Sequence, residues 1–236
     1  MRRFYINQDL GFDVAMEGGE HNHLANVLRM KVGDMVVLFC GDEYDYTYEI
    51  TYVTRDYTNL RFVSRAKNIA NPAVNLVVFL GVIKLDNLSL VVEKLNELGV
   101  GELVPFVCAN SNIPAKAINT EKLEIVAKQS CKQCGRSIPL KVHHTLRFNE
   151  MLDKMSKFDM AFYADRGEKF DRVYFSEVQN ANHVAVIIGP EGGFTIDESS
   201  AVTQLARPVT LGSRTLRSET AAMAASTILL SMMGEM

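Results

Sequence analysis

The pattern of apolar and polar positions changes partway along the chain. From Met1 to about Ile69 it is strand-like. Met35–Phe39 is a short apolar run closed by a Cys40-Gly41-Asp42 turn. Tyr44–Val53 follows, rich in Tyr, Thr and Ile, and Asn59–Ser64 alternates apolar with polar. Short β-rich runs joined by tight turns predict a small antiparallel barrel or sandwich. Leu24, Val27 and Leu28 lie at helical spacing and predict one helix over Glu20–Leu28. Ala66–Pro72 has no period, and Pro72 disfavours helix just before it. The boundary is placed there, giving domains at 1–70 and 73–236.

Beyond Ala73 the period changes. Val74–Ile83 is an apolar run broken only by Asn75, as in a buried parallel strand. Asp86–Leu98 carries Leu88, Val91, Val92, Leu95 and Leu98 on one helical face and ends at Gly99. Strands are predicted at Glu102–Val107, Asp159–Ala164, His183–Ile188 and Pro208–Leu211. Helices are predicted at Thr120–Cys134 (capped by Thr120), Asn149–Lys157, Thr195–Leu205 and Ser218–Met233. Alternating strands and helices predict a parallel α/β sheet covered on both faces.

Composition narrows the function. Net charge is −3 over 236 residues, which excludes a generally basic nucleic-acid coat. Residues 1–72 hold eight basic against ten acidic side chains, so any RNA surface must be a local patch. The longest nearly apolar stretch, Ala221–Met233, is 13 residues and is interrupted by Ser and Thr, whereas a membrane helix needs about 20. The N-terminus turns acidic at Asp9 before an apolar core forms, so no signal peptide is expected. Four cysteines are too few for a disulfide scaffold, and a reducing, cytoplasmic setting is expected.

The candidate chemistry lies in two late loops. Ile187–Phe194 (I-I-G-P-E-G-G-F) leaves the carboxyl end of a predicted buried strand, where open α/β sheets bind ligands. Leu211–Thr220 (L-G-S-R-T-L-R-S-E-T) follows another strand and runs into an Ala-rich helix. Two arginines and a glutamate there are costly to bury without partners, so they should face a cleft or another subunit. The P-loop, the early G-x-G-x-x-G fingerprint and the G-x-S-x-G elbow are all absent. The two loops suit a ligand gripped mostly through backbone groups, although spacing alone also fits ordinary turns between strand and helix.

At these residues the chain resembles the SPOUT methyltransferases, and within them the RsmE-type 16S ribosomal RNA (uracil-N3)-methyltransferases. Further blocks that resemble the family are Met1–Phe4, His23–Asp34, Lys94–Val100 and Gln133–Pro139. The resemblance implies an α/β SPOUT-type C-terminal domain with a deep trefoil knot and a mostly parallel sheet. It also implies a small N-terminal PUA-like β-barrel, bound S-adenosyl-L-methionine and a homodimer with composite sites. By analogy, Gly189, Glu191, Gly192, Leu211, Gly212 and Leu216 hold the cofactor, and Thr220 closes the pocket. Arg217 and Arg214 lie nearest the methyl acceptor, with Arg217 stabilising charge on the uracil oxygens. Glu219 either orients that arginine or supports the start of the last helix, and Glu191 is the weaker candidate to accept a proton. Three positions depart from the family pattern. Ser213 replaces a usual Pro, Lys84-Leu85 a usual Lys-Gly, and Ala109–Asn112 lacks a usual arginine.

Candidate RNA contacts are Arg2, Arg3, Arg29, Lys31 and Arg136. Lys128, Lys132 and Arg136 recur four residues apart, which is either a solvated face or a phosphate track. No metal is expected. Cys131-x-x-Cys134 has no second pair, although His143 and His144 are nearby. His21 and His23 read as surface or barrel residues, and Met223, Met232 and Met233 as packing. The partner expected is 16S rRNA of the small subunit. The competing readings are a SPOUT enzyme acting on another RNA nucleotide, a non-catalytic rRNA-binding protein, and a dinucleotide enzyme.

Overall fold

The computed structural model describes residues 1–165, 178 and 180–236. Two compact units result: Met1–Asn71 with Lys128–Pro139, and Pro72–Ala127 with Leu140–Met236. Residues 128–139, which the sequence groups with the second part, therefore cluster with the first.

The first unit is a five-stranded sheet of order β1-β3-β4-β5-β2. The strands are β1 (Arg2–Tyr5), β2 (Asp13–Glu17), β3 (Met35–Phe39), β4 (Tyr44–Val53) and β5 (Tyr57–Lys67). All pairs are antiparallel except β1 with β3, which is parallel. Two register shifts between β4 and β5 bend these long strands, so the sheet curls. Its concave core is Phe4, Met16, Leu24, Leu38, Tyr48, Ile50 and Leu60. The helix expected at 20–28 is split: α1 (Gly18–Asn22) runs into a π-turn at His23–Val27. The wider turn ends at Arg29, whose φ of +53° makes it the one non-glycine residue with positive φ among the described residues. His21 is a buried residue of this unit. Its two ring nitrogens meet Thr58 Oγ1 at 2.9 Å and the Arg55 carbonyl at 3.0 Å.

The second unit holds an all-parallel sheet of order β12-β10-β11-β6-β7-β8, with β9 also paired to β7. Its strands are β6 (Asn75–Gly81), β7 (Glu102–Val107), β8 (Lys141–Val142), β9 (Leu146–Arg147), β10 (Met160–Ala164), β11 (His183–Ile188) and β12 (Arg207–Val209). The unbroken apolar runs are explained by two separate cores. Leu76, Val78, Leu80, Val184, Val186 and Ile188 pack on one face, and Val77, Phe79, Ala185 and Ile187 on the other. The first face is covered by α2 (Leu85–Leu98) and α6 (Ser218–Met232). Small residues Ala222 and Ala225 of α6 are buried there. Helix α2 ends in a Schellman turn, with Gly99 at φ +98° and the Val100 N–H donating to the Leu95 carbonyl.

Helix α3 (Thr120–Cys134) starts and ends where expected, but its cap is Asn119, whose Oδ1 accepts from the Lys122 N–H at 2.9 Å. The helix expected at 149–157 is shorter: α4 covers Phe148–Leu152, and a 3₁₀ turn covers Met155–Lys157. Helix α5 (Ile196–Thr203) is capped by Thr195 in a reciprocal box with Glu198.

At the amino edge of this sheet Glu102 accepts from Asn75 Nδ2 at 3.0 Å and lies 2.5 Å from His143 Nε2. The His143 bond leads the causes that hold the Glu102 carboxyl down at about 2, against partial desolvation. A carboxyl depressed in the fold stabilises it above its unfolded value and loses that contribution as pH falls through the folded one. Glu102→Gln should therefore be less stable than the parent at pH 6. The difference should shrink between about 4.5 and about 2, as read by denaturant titration at each pH.

Candidate functional site

A parallel sheet places every strand's carboxyl end on one edge, so the loops that leave those ends are neighbours. Four of them line a cavity of about 450 Å³. That volume lies within the range of about 300–1,000 Å³ usual for sites of small organic ligands. The first glycine loop contributes Gly189, Glu191 and Gly193, and the second contributes Leu211, Gly212, Arg214, Leu216 and Arg217. Glu219 lines it from the first turn of α6. The end of β10 adds Tyr163 and Asp165, and the start of α2 adds Lys84 and Asn87.

The first loop is held from beneath. A Cβ on Gly81, at the end of β6, would lie 2.4 Å from the Pro190 nitrogen, so the two backbones touch. The Phe194 ring stacks on Phe106 at 5.9 Å and meets Tyr163 edge-on at 5.4 Å, anchoring the loop's far end. Within the loop the Gly193 N–H donates to the Pro190 carbonyl at 2.9 Å.

Among the expected cofactor residues, Gly189, Glu191, Leu211, Gly212 and Leu216 come together at this cavity. Gly192 and Thr220 do not line it, and Thr220 is exposed on α6. Arg214 and Arg217 are exposed side chains at the cavity. Glu219 does not pair with either: its Oε1 accepts from Asn87 Nδ2 at 3.5 Å, and its Oε2 is shielded from solvent with no partner among the described residues. Its place in the first turn of α6 also suits a carboxylate at a helix N-terminus. Lys84, Asn87 and Asp165 were not singled out as ligands in the sequence. Lys84 and Asp165 follow a strand's carboxyl end and Asn87 lies in the first turn of α2, places that become informative only once the strand order is known.

The expected RNA residues separate. Arg2, Arg29 and Lys31 are exposed. Arg3 is held bidentately by Asp45 at 2.6 and 2.8 Å and donates to the Arg136 carbonyl at 3.1 Å. Arg136 itself is buried, 3% exposed, and lies beyond the end of α3. The stripe at 128, 132 and 136 is neither a solvated face nor a phosphate track, because it packs into the first unit. Lys128 Nζ lies 4.9 Å from the centre of the Tyr5 ring, and Lys132 pairs with Glu20. Among the described residues no cluster of histidine, cysteine and carboxylate groups could hold a metal ion, and no helix is long and apolar enough to cross a membrane.

This geometry agrees with what the chain is similar to. The RNA methyltransferase domain family matches residues 70–230, and the RNA methyltransferase PUA domain family matches residues 17–63. Ribosomal RNA small subunit methyltransferase E of Helicobacter pylori is 31% identical over 189 residues, 78% of this chain and 79% of that protein. The chain belongs to the ribosomal RNA small subunit methyltransferase E family. The family member from Rickettsia conorii is 26% identical over 230 residues, spanning 94% of this chain and 92% of its own. A Legionella pneumophila structure described as a methyltransferase in complex with the cofactor SAM is 25% identical. It superposes with a TM-score of 0.85, covering 97% of this chain and 96% of that one. The curled sheet is thus the PUA unit of the family, and the parallel sheet its methyltransferase unit.

Because Gly81 has no room for a side chain, Gly81→Ala should push the first loop away from β6. We expect a loss of about 1–3 kcal/mol in unfolding free energy, together with weakened ligand binding at the cavity. Denaturant titration and calorimetry measure the two.

Proposed function

We propose that this chain methylates N3 of a uridine in 16S ribosomal RNA of the small subunit, with S-adenosyl-L-methionine as donor. The observation that carries the reading is the convergence of both glycine loops on one cavity within a family of RNA methyltransferases. The lining fits that donor: backbone of Gly189 and Gly212 for close approach, and polar groups at the rim. The Legionella relative described with SAM supports the same choice.

The donor supplies an electrophilic methyl group. The chain's own task is to align the acceptor and to help N3 lose its proton. Arg217, at the cavity and next to the start of α6, stabilises negative charge developing on the uracil oxygens. A guanidinium stays protonated, so it does not act as the base. Lys84 and Arg214 add positive charge to the same rim. Glu219, with one shielded oxygen that has no partner among the described residues, is better suited to receive the proton than the exposed Glu191. Asn87 rather than an arginine orients it.

The reading extends to the PUA unit, where Arg2, Arg29 and Lys31 offer exposed charge to RNA phosphates. It also includes a homodimer, a deep trefoil knot in the methyltransferase unit and a cytoplasmic location, as the family resemblance implies.

Mass mapping of 16S RNA from a deletion strain should show one uridine lacking a methyl group, restored by the complementing gene. A map unchanged by deletion removes the proposal. In the purified protein, Arg217→Ala should lower turnover at least about a hundredfold, the size of losing an electrostatic stabiliser, with S-adenosyl-L-homocysteine binding nearly intact. Turnover close to that of the parent would take Arg217 out of the mechanism.

A further inference from the structure

We propose that Asn110 is a positioning residue that fixes the first glycine loop in its ligand-binding shape. This rests on the reading of the cavity as the methyl-donor site. Strand β7 ends at Val107, and the chain then turns tightly. The Ser111 N–H donates to the Cys108 carbonyl at 3.0 Å, and the Cys108 N–H donates to Ser111 Oγ at 3.0 Å. The amide of Asn110 extends from this turn. Its Nδ2 donates to the carbonyls of Gly192 and Gly193 at 3.3 and 3.2 Å.

The backbones themselves are in contact. A Cβ on Gly192 would lie 3.0 Å from both the Asn110 Cβ and the Asn110 carbonyl oxygen. Gly192 is therefore a glycine because of Asn110, and not because it lines the cavity. The same turn holds the loop's exit. The Ala109 N–H donates to Glu198 Oε1 at 2.8 Å, while Glu198 Oε2 accepts from the Thr195 N–H at 3.0 Å. Residues 192–198 are thus gripped at both ends by Ala109 and Asn110.

The consequence for the site follows from peptide planarity. Holding a carbonyl on one side fixes the next N–H on the other. Two neighbouring peptide planes, Gly192–Gly193 and Gly193–Phe194, are set by one side-chain amide. Gly193 and Phe194 line the cavity, so Asn110 acts on the bound ligand without touching it. The turn that lacks the arginine expected of the family carries instead an uncharged donor with a defined task.

Asn110→Asp tests this, because it keeps the shape and presents an acceptor to two carbonyls. In the full-length protein we expect affinity for S-adenosyl-L-homocysteine, measured by calorimetry, to fall about tenfold. Asn110→Ala should lower it about threefold. Amide exchange at Gly192–Phe194 should speed up in ligand-free Asn110→Asp, while the rest of the methyltransferase unit keeps its protection. KM for the methyl donor should rise with kcat within about twofold, as for lost uniform binding. Parent-like affinity and exchange in Asn110→Asp would overturn the assignment, as would loss of protection throughout the unit in both variants. Failure of the parent itself to bind S-adenosyl-L-homocysteine would instead remove the donor reading of the cavity. The exchange comparison in ligand-free protein judges the grip on the loop separately.

Discussion

Hydrogen bonding between parallel strands is the constraint on which the site depends. Because β6, β10, β11 and β12 all run the same way, the segments that leave their carboxyl ends emerge along one edge of the sheet. Residues far apart in sequence, such as Lys84 and Arg217, meet there without any special long-range attraction. The parallel arrangement also demands burial on both faces. That burial is visible in β6, whose alternate residues enter two different cores. The rigidity of that doubly packed sheet lets exposed loops hold a defined shape. The contact between Gly81 and Pro190 transmits the position of the central strand to the first loop.

The elements of the second unit were largely legible because their local code is strong. Asp86–Leu98 has an unambiguous helical stripe with a glycine stop, and Leu76–Ile83 has no polar interruption. The two glycine loops were legible for a similar reason, since glycine and proline mark backbone demands directly. What escaped was whatever depends on strand order. Asn87 and Asp165 are unremarkable in sequence and reach the cavity only because β6 and β10 flank β11. Of the two readings of Glu219, the place at the helix start agrees with the structure, and the pairing with Arg217 does not. Arg217 is its near neighbour along the chain, but the start of α6 turns the carboxylate toward α2 and Asn87.

In the first unit, the pattern marks β3, β4 and β5 but neither β1 nor β2, and the charge pattern misleads. The spacing of the basic side chains at 128, 132 and 136 fits a face open to water or phosphate, yet they meet an aromatic ring, a carboxylate and the protein interior. Periodicity reports which side chains share a face. It does not report what that face meets, and long basic side chains bury their stems readily. The split of the expected helix into α1 and a π-turn is equally invisible, because an unbroken helix would present Leu24 inward just as the π-turn does.

Helix α3 divides its length between the two compact units, and this makes the protein less modular than its sequence blocks imply. Lys132 serves Glu20, and the Arg136 carbonyl serves Arg3, so the curled sheet borrows its finishing pieces from a stretch encoded sixty residues after it ends. Gene fusion that cut near Pro72 and moved only the leading segment would leave Glu20 without its ammonium partner and Arg3 without its carbonyl. Transfer of the curled sheet without residues 128–139 would therefore leave it incomplete. The boundary in sequence and the boundary in space therefore fall at different places.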